Sequence, residues 1–177
     1  MKNSFLVTAF LLISLISRSQ VSISSGGDLM VISRNGYSIQ YPATWRVDTS
    51  HAFGTDVFIA SQKEGTADKF VENVNVLIQN LPPEISSLEQ YVAISEQQIK
   101  NYAKDGELIR SLKVAENGHE YHVLSFYHTQ NALRIRADQY YFVVGSKAYV
   151  VTFSMEKLKE SEYSVIANRL LKSFTLN

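Results

Sequence analysis

The chain has 177 residues, 45% of them hydrophobic, with 17 lysines and arginines balancing 17 aspartates and glutamates, and no cysteine. That balance excludes the basic excess that general nucleic-acid binding needs. The absence of cysteine excludes disulfides and a lipid-accepting thiol, so a single domain of this length must rest on its apolar core.

Lys2 gives a positive start, Phe5 to Ile16 is an apolar run of about a dozen residues, and Ser17-Arg18-Ser19 offers small residues where a signal peptidase reads. Residues 1–19 are therefore expected to be a cleaved secretory signal. A membrane anchor needs roughly 20 apolar residues, and Arg18 and Gln20 close this run too early. Cleavage removes Lys2 and Arg18 and leaves 15 basic against 17 acidic residues. The expectation is an exported protein, periplasmic or secreted, soluble, not a lipoprotein, with no transmembrane anchor after cleavage.

Residues 20–35 read as a Ser/Gly-rich lead-in, with partial order at Leu29 to Ile32, and residues 36–177 as one domain. Tyr37, Ile39 and Tyr41 alternate with polar residues as a half-buried strand should, until Pro42 stops it. Trp45 then restarts an extended segment, and it reads as a packing residue. Val57 to Ala60 and Val74 to Ile78 predict two more strands, separated by the polar loop Gln62 to Lys69. Leu81-Pro82-Pro83-Glu84 breaks the chain before a helix. Ser87 with Gln90, or Ser86 with Glu89, offers a capping box. Leu88, Tyr91, Val92, Ser95, Ile99 and Tyr102 follow on one stripe at helical spacing.

Leu108 to Ser154 reads as a four-stranded antiparallel meander. Asn117-Gly118 suits a type I′ turn, Gly145-Ser146 a type II′ turn, and Gln130-Asn131 marks the middle one. A last helix spans Lys157 to Lys172, its inner face supplied by Tyr163, Ile166, Leu170 and Phe174 with Val165 and Leu171 beside them.

These turns set a register. Arg110 falls opposite Ser125, Leu108 opposite Tyr127, Tyr127 opposite Arg134, and Ser125 opposite Arg136. Side chains directly opposite share a face. Arg110, Tyr127, Arg134, Arg136 and Asp138 should therefore form one surface, a candidate anion or acidic-partner site, since clustered guanidiniums grip carboxylates and phosphates bidentately. On the same face Leu112, Val114, Tyr121, Val123, Tyr140 and Val151 form an apolar half that would seat a helix. Leu124, Phe126, Leu133, Ile135, Tyr141 and Val143 go to the other face as core.

No catalytic constellation is visible. There is no Gly-x-Ser-x-Gly elbow, no calcium-loop spacing and no phosphate-cradling glycine run. His122 and His128 share a face but stand six residues apart, about 20 Å along a strand, too far to hold one ion. His51 and His119 lie elsewhere. No cofactor and no metal is expected.

The order of strand, Tyr-Pro-x-x-Trp, helix after a proline loop, long meander and C-terminal helix resembles the PsbP-like proteins of the Mog1/PsbP/DcrB fold group. Tyr37-Ser38-Ile39-Gln40-Tyr41-Pro42-Ala43-Thr44-Trp45, Glu72-Asn73-Val74-Asn75-Val76, Leu88 to Lys100 and Tyr149-Val150-Val151-Thr152-Phe153 carry the resemblance. It implies an α+β fold with an antiparallel sheet flanked by helices on both faces. Members of this group bind other proteins rather than catalyse reactions, so the expected role is a non-enzymatic accessory protein engaging a protein or envelope component. The ion-binding residues of the plant photosystem subunit find no match here. The competing expectation is a small-ligand binder, for an anion or a glycan, or a hydrolase working in a pocket.

Overall fold

A computed structural model describes residues 28–34, 36–116 and 119–177. The expected signal segment 1–19 and Asn117-Gly118 lie outside the described residues. The strands are β1 (Leu29–Arg34), β2 (Tyr37–Pro42), β3 (Arg46–Asp48), β4 (Val57–Ala60), β5 (Asn73–Asn80), β6 (Glu107–Glu116), β7 (His119–Gln130), β8 (Leu133–Val144), β9 (Lys147–Glu156) and β10 (Thr175–Leu176). The helices are α1 (Leu88–Tyr102) and α2 (Glu160–Lys172), with a 3₁₀ turn at Lys157–Lys159 leading into α2.

Two antiparallel sheets result. The larger has the order β3-β4-β5-β9-β8-β7-β6, and the smaller is β1-β2-β10. This is an α+β domain built on antiparallel strands. The stretch expected to be partly ordered at Leu29 forms β1, which pairs with β2 from Leu29 opposite Pro42 to Arg34 opposite Tyr37. The second edge of β2 takes β10, an element too short to announce itself in sequence.

Strand alternation divides the interior. Tyr140, Phe142, Tyr149, Val151, Phe153 and Met155 join Tyr163, Ala167, Leu170 and Leu171 of α2, with Tyr37 and Ile39 of β2, in one buried cluster. The intervening residues Ala137, Tyr141, Ala148 and Val150 join Leu124, Phe126 and the α1 residues Leu88, Tyr91, Val92 and Ile99 in a second. Trp45 is buried in the first cluster, its ring centroid 6.0 Å from that of Phe153. It packs as its position after the strand-ending proline predicted.

Helix α1 starts where the capping chemistry predicts. The Ser87 hydroxyl accepts from the Gln90 backbone N–H at 3.2 Å. The Gln90 side chain reaches one residue further back than expected and accepts from the Ser86 N–H at 2.8 Å. The helix ends before Gly106, where a Cβ would sit 2.5 Å from the Ile99 carbonyl oxygen. Only glycine lets the chain pass so close. Tyr102, expected on the buried stripe, is 69% exposed, because the last turn is closed by Ala103 instead. In α2, Val165 is exposed and Ala167 takes its expected place in the core.

The meander forms as predicted, with two corrections to its register. The middle turn is Asn131-Ala132, not Gln130-Asn131, and both residues have positive φ (49° and 66°), as a type I′ turn demands. The slip of one residue in the turn moves the register by two, to Tyr127 opposite Arg136 and Ser125 opposite Asp138. A shift of two preserves every side chain's face. In β6, Arg110 stands opposite Ser125 as expected, but a bulge at Ile109 puts Leu108 opposite Phe126 and Glu107 opposite Tyr127. Glu116 opposite His119 brackets two residues, and Val144 opposite Lys147 brackets Gly145-Ser146, where only Gly145 has positive φ.

Candidate binding surface

Pairing across β8, β7 and β6 places Asp138, Ser125 and Arg110 in one row on the α2 side of the sheet. The next row is Arg136, Tyr127 and Glu107, and Arg134 follows opposite Thr129. All five residues expected to share a surface do share a face. The expectation included Asp138 but not Glu160 and Glu107, the other carboxylates that meet the arginines. Arg136 donates through Nε to both oxygens of Asp138 at 3.1 Å and through Nη1 to Glu160 in the first turn of α2. The Tyr127 hydroxyl also donates to Glu160, at 2.7 Å. That hydroxyl first, and the Arg136 charge after it, hold the Glu160 carboxyl below its ordinary range.

Arg134 donates to the Glu107 carboxylate and to the Asp105 carbonyl, each at 2.6 Å. It also covers the Tyr127 ring at 5.3 Å, while Lys157 lies 4.5 Å from the same ring centroid. Arg110 differs from both. It is exposed and makes no ion pair among the described residues.

Above this charged half the face turns apolar. Tyr140, Val123 and Leu112 form one row, and Tyr121 with Val114 belongs to the next. Helix α2 packs mainly over β9, β8, β5 and β2. The apolar half was expected to seat a helix, but α2 leaves its β6 side open, and Leu112 is 44% exposed. A cavity of about 370 Å³ opens here. The sheet supplies Glu116, His119, Tyr121, Tyr140 and Phe142, and the C-terminal segment supplies Leu171, Lys172, Phe174, Thr175 and Leu176. Five rings form a column along it, Tyr140, Tyr121, Phe142, Phe174 and Tyr37, with successive centroids 5.1, 5.3, 5.0 and 5.3 Å apart. At its far end the Tyr37 hydroxyl donates to Asp56 at 2.6 Å, and Arg34 donates to the same carboxylate.

A second polar centre was missed by the sequence reading. Lys159 lies 3.0 Å from Glu64, 3.6 Å from Asp68 and 3.5 Å from Glu72. Burial pushes the Glu72 carboxyl up to about 7, against the pull of Lys159. A glutamate immediately before the buried strand residues Asn73 and Val74 was the available signal.

The histidines are dispersed. His51 Nδ1 is 3.1 Å from the Thr55 carbonyl, His119 lines the cavity, and His122 Nε2 is 2.7 Å from the Ser111 hydroxyl. Buried His128 is pushed down to about 4 by desolvation. Among the described residues no three acidic, histidine or cysteine side chains group as a metal site. No helix among them is long and apolar enough to cross a membrane.

An antiparallel α+β domain with an open aromatic and arginine-bearing face is what the geometry defines. Residues 30–176 match the PsbP family, and the chain belongs to it. No curated protein matches the chain. Among solved structures it is similar to the cyanobacterial PsbP protein CyanoP of Synechocystis, at 20% identity and a TM-score of 0.63, over 92% of this chain and 99% of that one. LpqN of Mycobacterium tuberculosis, described as involved in cell envelope biogenesis, aligns at 13% identity with a TM-score of 0.63, over 85% and 91%. A Pseudomonas aeruginosa protein of unknown function aligns at 10% identity with a TM-score of 0.51, over 79% and 91%. At these identities the likeness is one of fold.

Proposed function

We propose that the chain is an exported, non-enzymatic accessory protein that binds a protein or envelope component through the open face bounded by Arg110, Arg134 and Glu116. The observation that carries this reading is the half-covered sheet. Tyr121 and Tyr140 are buried but line the cavity, and Leu112 in the same strip is 44% exposed, so α2 does not seal it. Exposed apolar surface next to unpaired charge is the composition of a docking site, not of a finished exterior. Arg110 adds an uncommitted guanidinium at its edge, with Tyr127, Arg136 and Asp138 as the positioned ground behind it. Family membership supports a binding role, and the two separate clusters support a sandwich with α1 on one face of the sheet and α2 on the other. The leader features of residues 1–19 support export.

A second reading is favoured by one observation. The Tyr121 hydroxyl donates to Glu116 at 3.3 Å within the cavity, giving it a polar wall suited to a small anion or glycan. One experiment separates the two. Native envelope extract is passed over wild-type protein and over an Arg110→Gln/Leu112→Lys variant, while both are melted with phosphate, sulfate and simple sugars. A protein retained only by the wild type supports docking. A solute that raises the melting temperature of both supports the small-ligand reading.

A further inference from the structure

Strand β6 is the long open edge of the larger sheet. It runs ten residues with no neighbouring strand on its outer side among the described residues, whereas the opposite edge, β3, has three. Such an edge is a template for another strand, and proteins usually blunt it with charge or a bulge. Here the bulge at Ile109 stops regular pairing at Arg110. The segment beyond it, Arg110-Ser111-Leu112-Lys113-Val114-Ala115-Glu116, has a pattern that decides its partner.

We infer that β6 pairs antiparallel with β6 of a second copy of this chain, with Arg110 opposite Glu116 and Lys113 on the two-fold axis. Three constraints lead to this register. Alternate residues of an edge strand point their backbone groups outward, so two copies can only match residues of equal parity. Every other pair in the sheets is antiparallel, and a two-fold closes the edge completely. Charge then selects among the even registers. With Arg110 opposite Glu116, both ends of the ladder carry opposite charges on the α2 side. Leu112 of each copy faces Val114 of the other between them, covering the exposed leucine. Sliding the second copy by two residues puts Arg110 opposite Val114 and leaves Glu116 opposite Leu108, so both charge pairs are lost.

Lys113 opposite Lys113 on the α1 side is the one like-charge pair, normally destabilising. Each lysine is already neutralised within its own chain, 2.7 Å from Glu89 and 3.1 Å from Glu120. Four carboxylates would surround the two ammonium groups at the axis. Such a dimer engages Arg110, Leu112 and Glu116 at the rim of the face proposed for docking, so on this inference a second copy fills that rim. The cavity beside it is lined mainly by Tyr140, Phe142 and the C-terminal segment.

Charge exchange tests it. Arg110→Glu places glutamates opposite each other, and Glu116→Arg places arginines opposite each other. By light scattering over a concentration series, the wild-type mass should rise to that of two chains. Each single variant should stay at one chain, and an equimolar mixture of the two should return to two chains. Independently, the chain has no cysteine, so Lys113→Cys places a single thiol on the axis against its own copy. It should oxidise readily to a cross-linked dimer, and Ser111→Cys, offset along the strand, should not. A wild type that stays at one chain throughout overturns the inference. Single variants that associate like the wild type do so as well, as does equal cross-linking at both cysteine positions.

Discussion

The Tyr127 hydroxyl and the Glu160 carboxylate meet at 2.7 Å, joining the C-terminal half of β7 to the first turn of α2. Glu160 also receives Arg136, so this one carboxylate fixes the start of the helix and occupies the guanidinium beneath it. Glu160→Gln keeps an acceptor for Tyr127 but removes the ion pair. The loss should be about 1 kcal/mol, because the pair is partly exposed and Asp138 still holds Arg136. The Nη1 released from Glu160 should now bind sulfate, seen as a larger rise in melting temperature on adding sulfate than the wild type shows. No added protection would retire the anion reading of the arginine half.

Trp45→Ala should cost about 3–5 kcal/mol by emptying the space against Phe153. For a chain of this size that is roughly a 10 °C fall in melting temperature. Scanning calorimetry checks it. Unchanged stability with lost partner binding would make Trp45 a contact residue instead.

Glu72 and His128 pull the pH dependence of stability in opposite directions. The folded Glu72 carboxyl lies at about 7 against an ordinary 4.5, so its contribution is full at acid pH and is lost as pH rises between those values. The folded His128 ring lies at about 4 against an ordinary 6.5, so its contribution is full above 6.5 and is lost as pH falls toward 4. Between 4.5 and 6.5 the two slopes oppose each other, and the wild type should be nearly flat there. Glu72→Gln should leave a stability that climbs with pH, and His128→Gln one that declines, each by up to about 3 kcal/mol across its window. Urea midpoints measured at several pH values decide it. Parallel slopes in both variants would show that neither group titrates as its burial requires.

Gly36 sits at φ 101°, where an added Cβ would also lie 3.1 Å from the Tyr149 hydroxyl. Gly36→Ala should therefore destabilise by about 1–3 kcal/mol through backbone strain and displacement of that tyrosine. A denaturant midpoint equal to that of the wild type would mean that the turn between β1 and β2 relaxes freely.

Much of the fold was legible because period-2 and period-3.6 patterns record which side of an element is buried. β2, β4, β5, the meander and both helices all follow from them. The shared face of Arg110, Tyr127, Arg134, Arg136 and Asp138 was legible for the same reason, and it survived a wrong turn because the slip was even. What packs over that face was not. Glu160 reaches Arg136 only through the position of α2, which no local pattern records. The cavity is equally non-local, since Tyr121 and Leu176 are brought together by the pairing of β10 with β2. The bulge at Ile109 left no local mark either, as Leu108 and Ile109 are both apolar.

That pairing governs when the domain can become whole. β2 is made early and has β1 beside it at once, yet its other edge waits for Thr175 and Leu176, and the Asn177 N–H closes onto the Gly36 carbonyl at 3.1 Å. The ring column has the same dependence, because Phe174 is its fourth member and joins Phe142 to Tyr37. A chain appearing from its N-terminus can complete the meander while this seam is still open. Residues 174–177 act as a latch, and protease resistance near Tyr37 should appear only when they arrive.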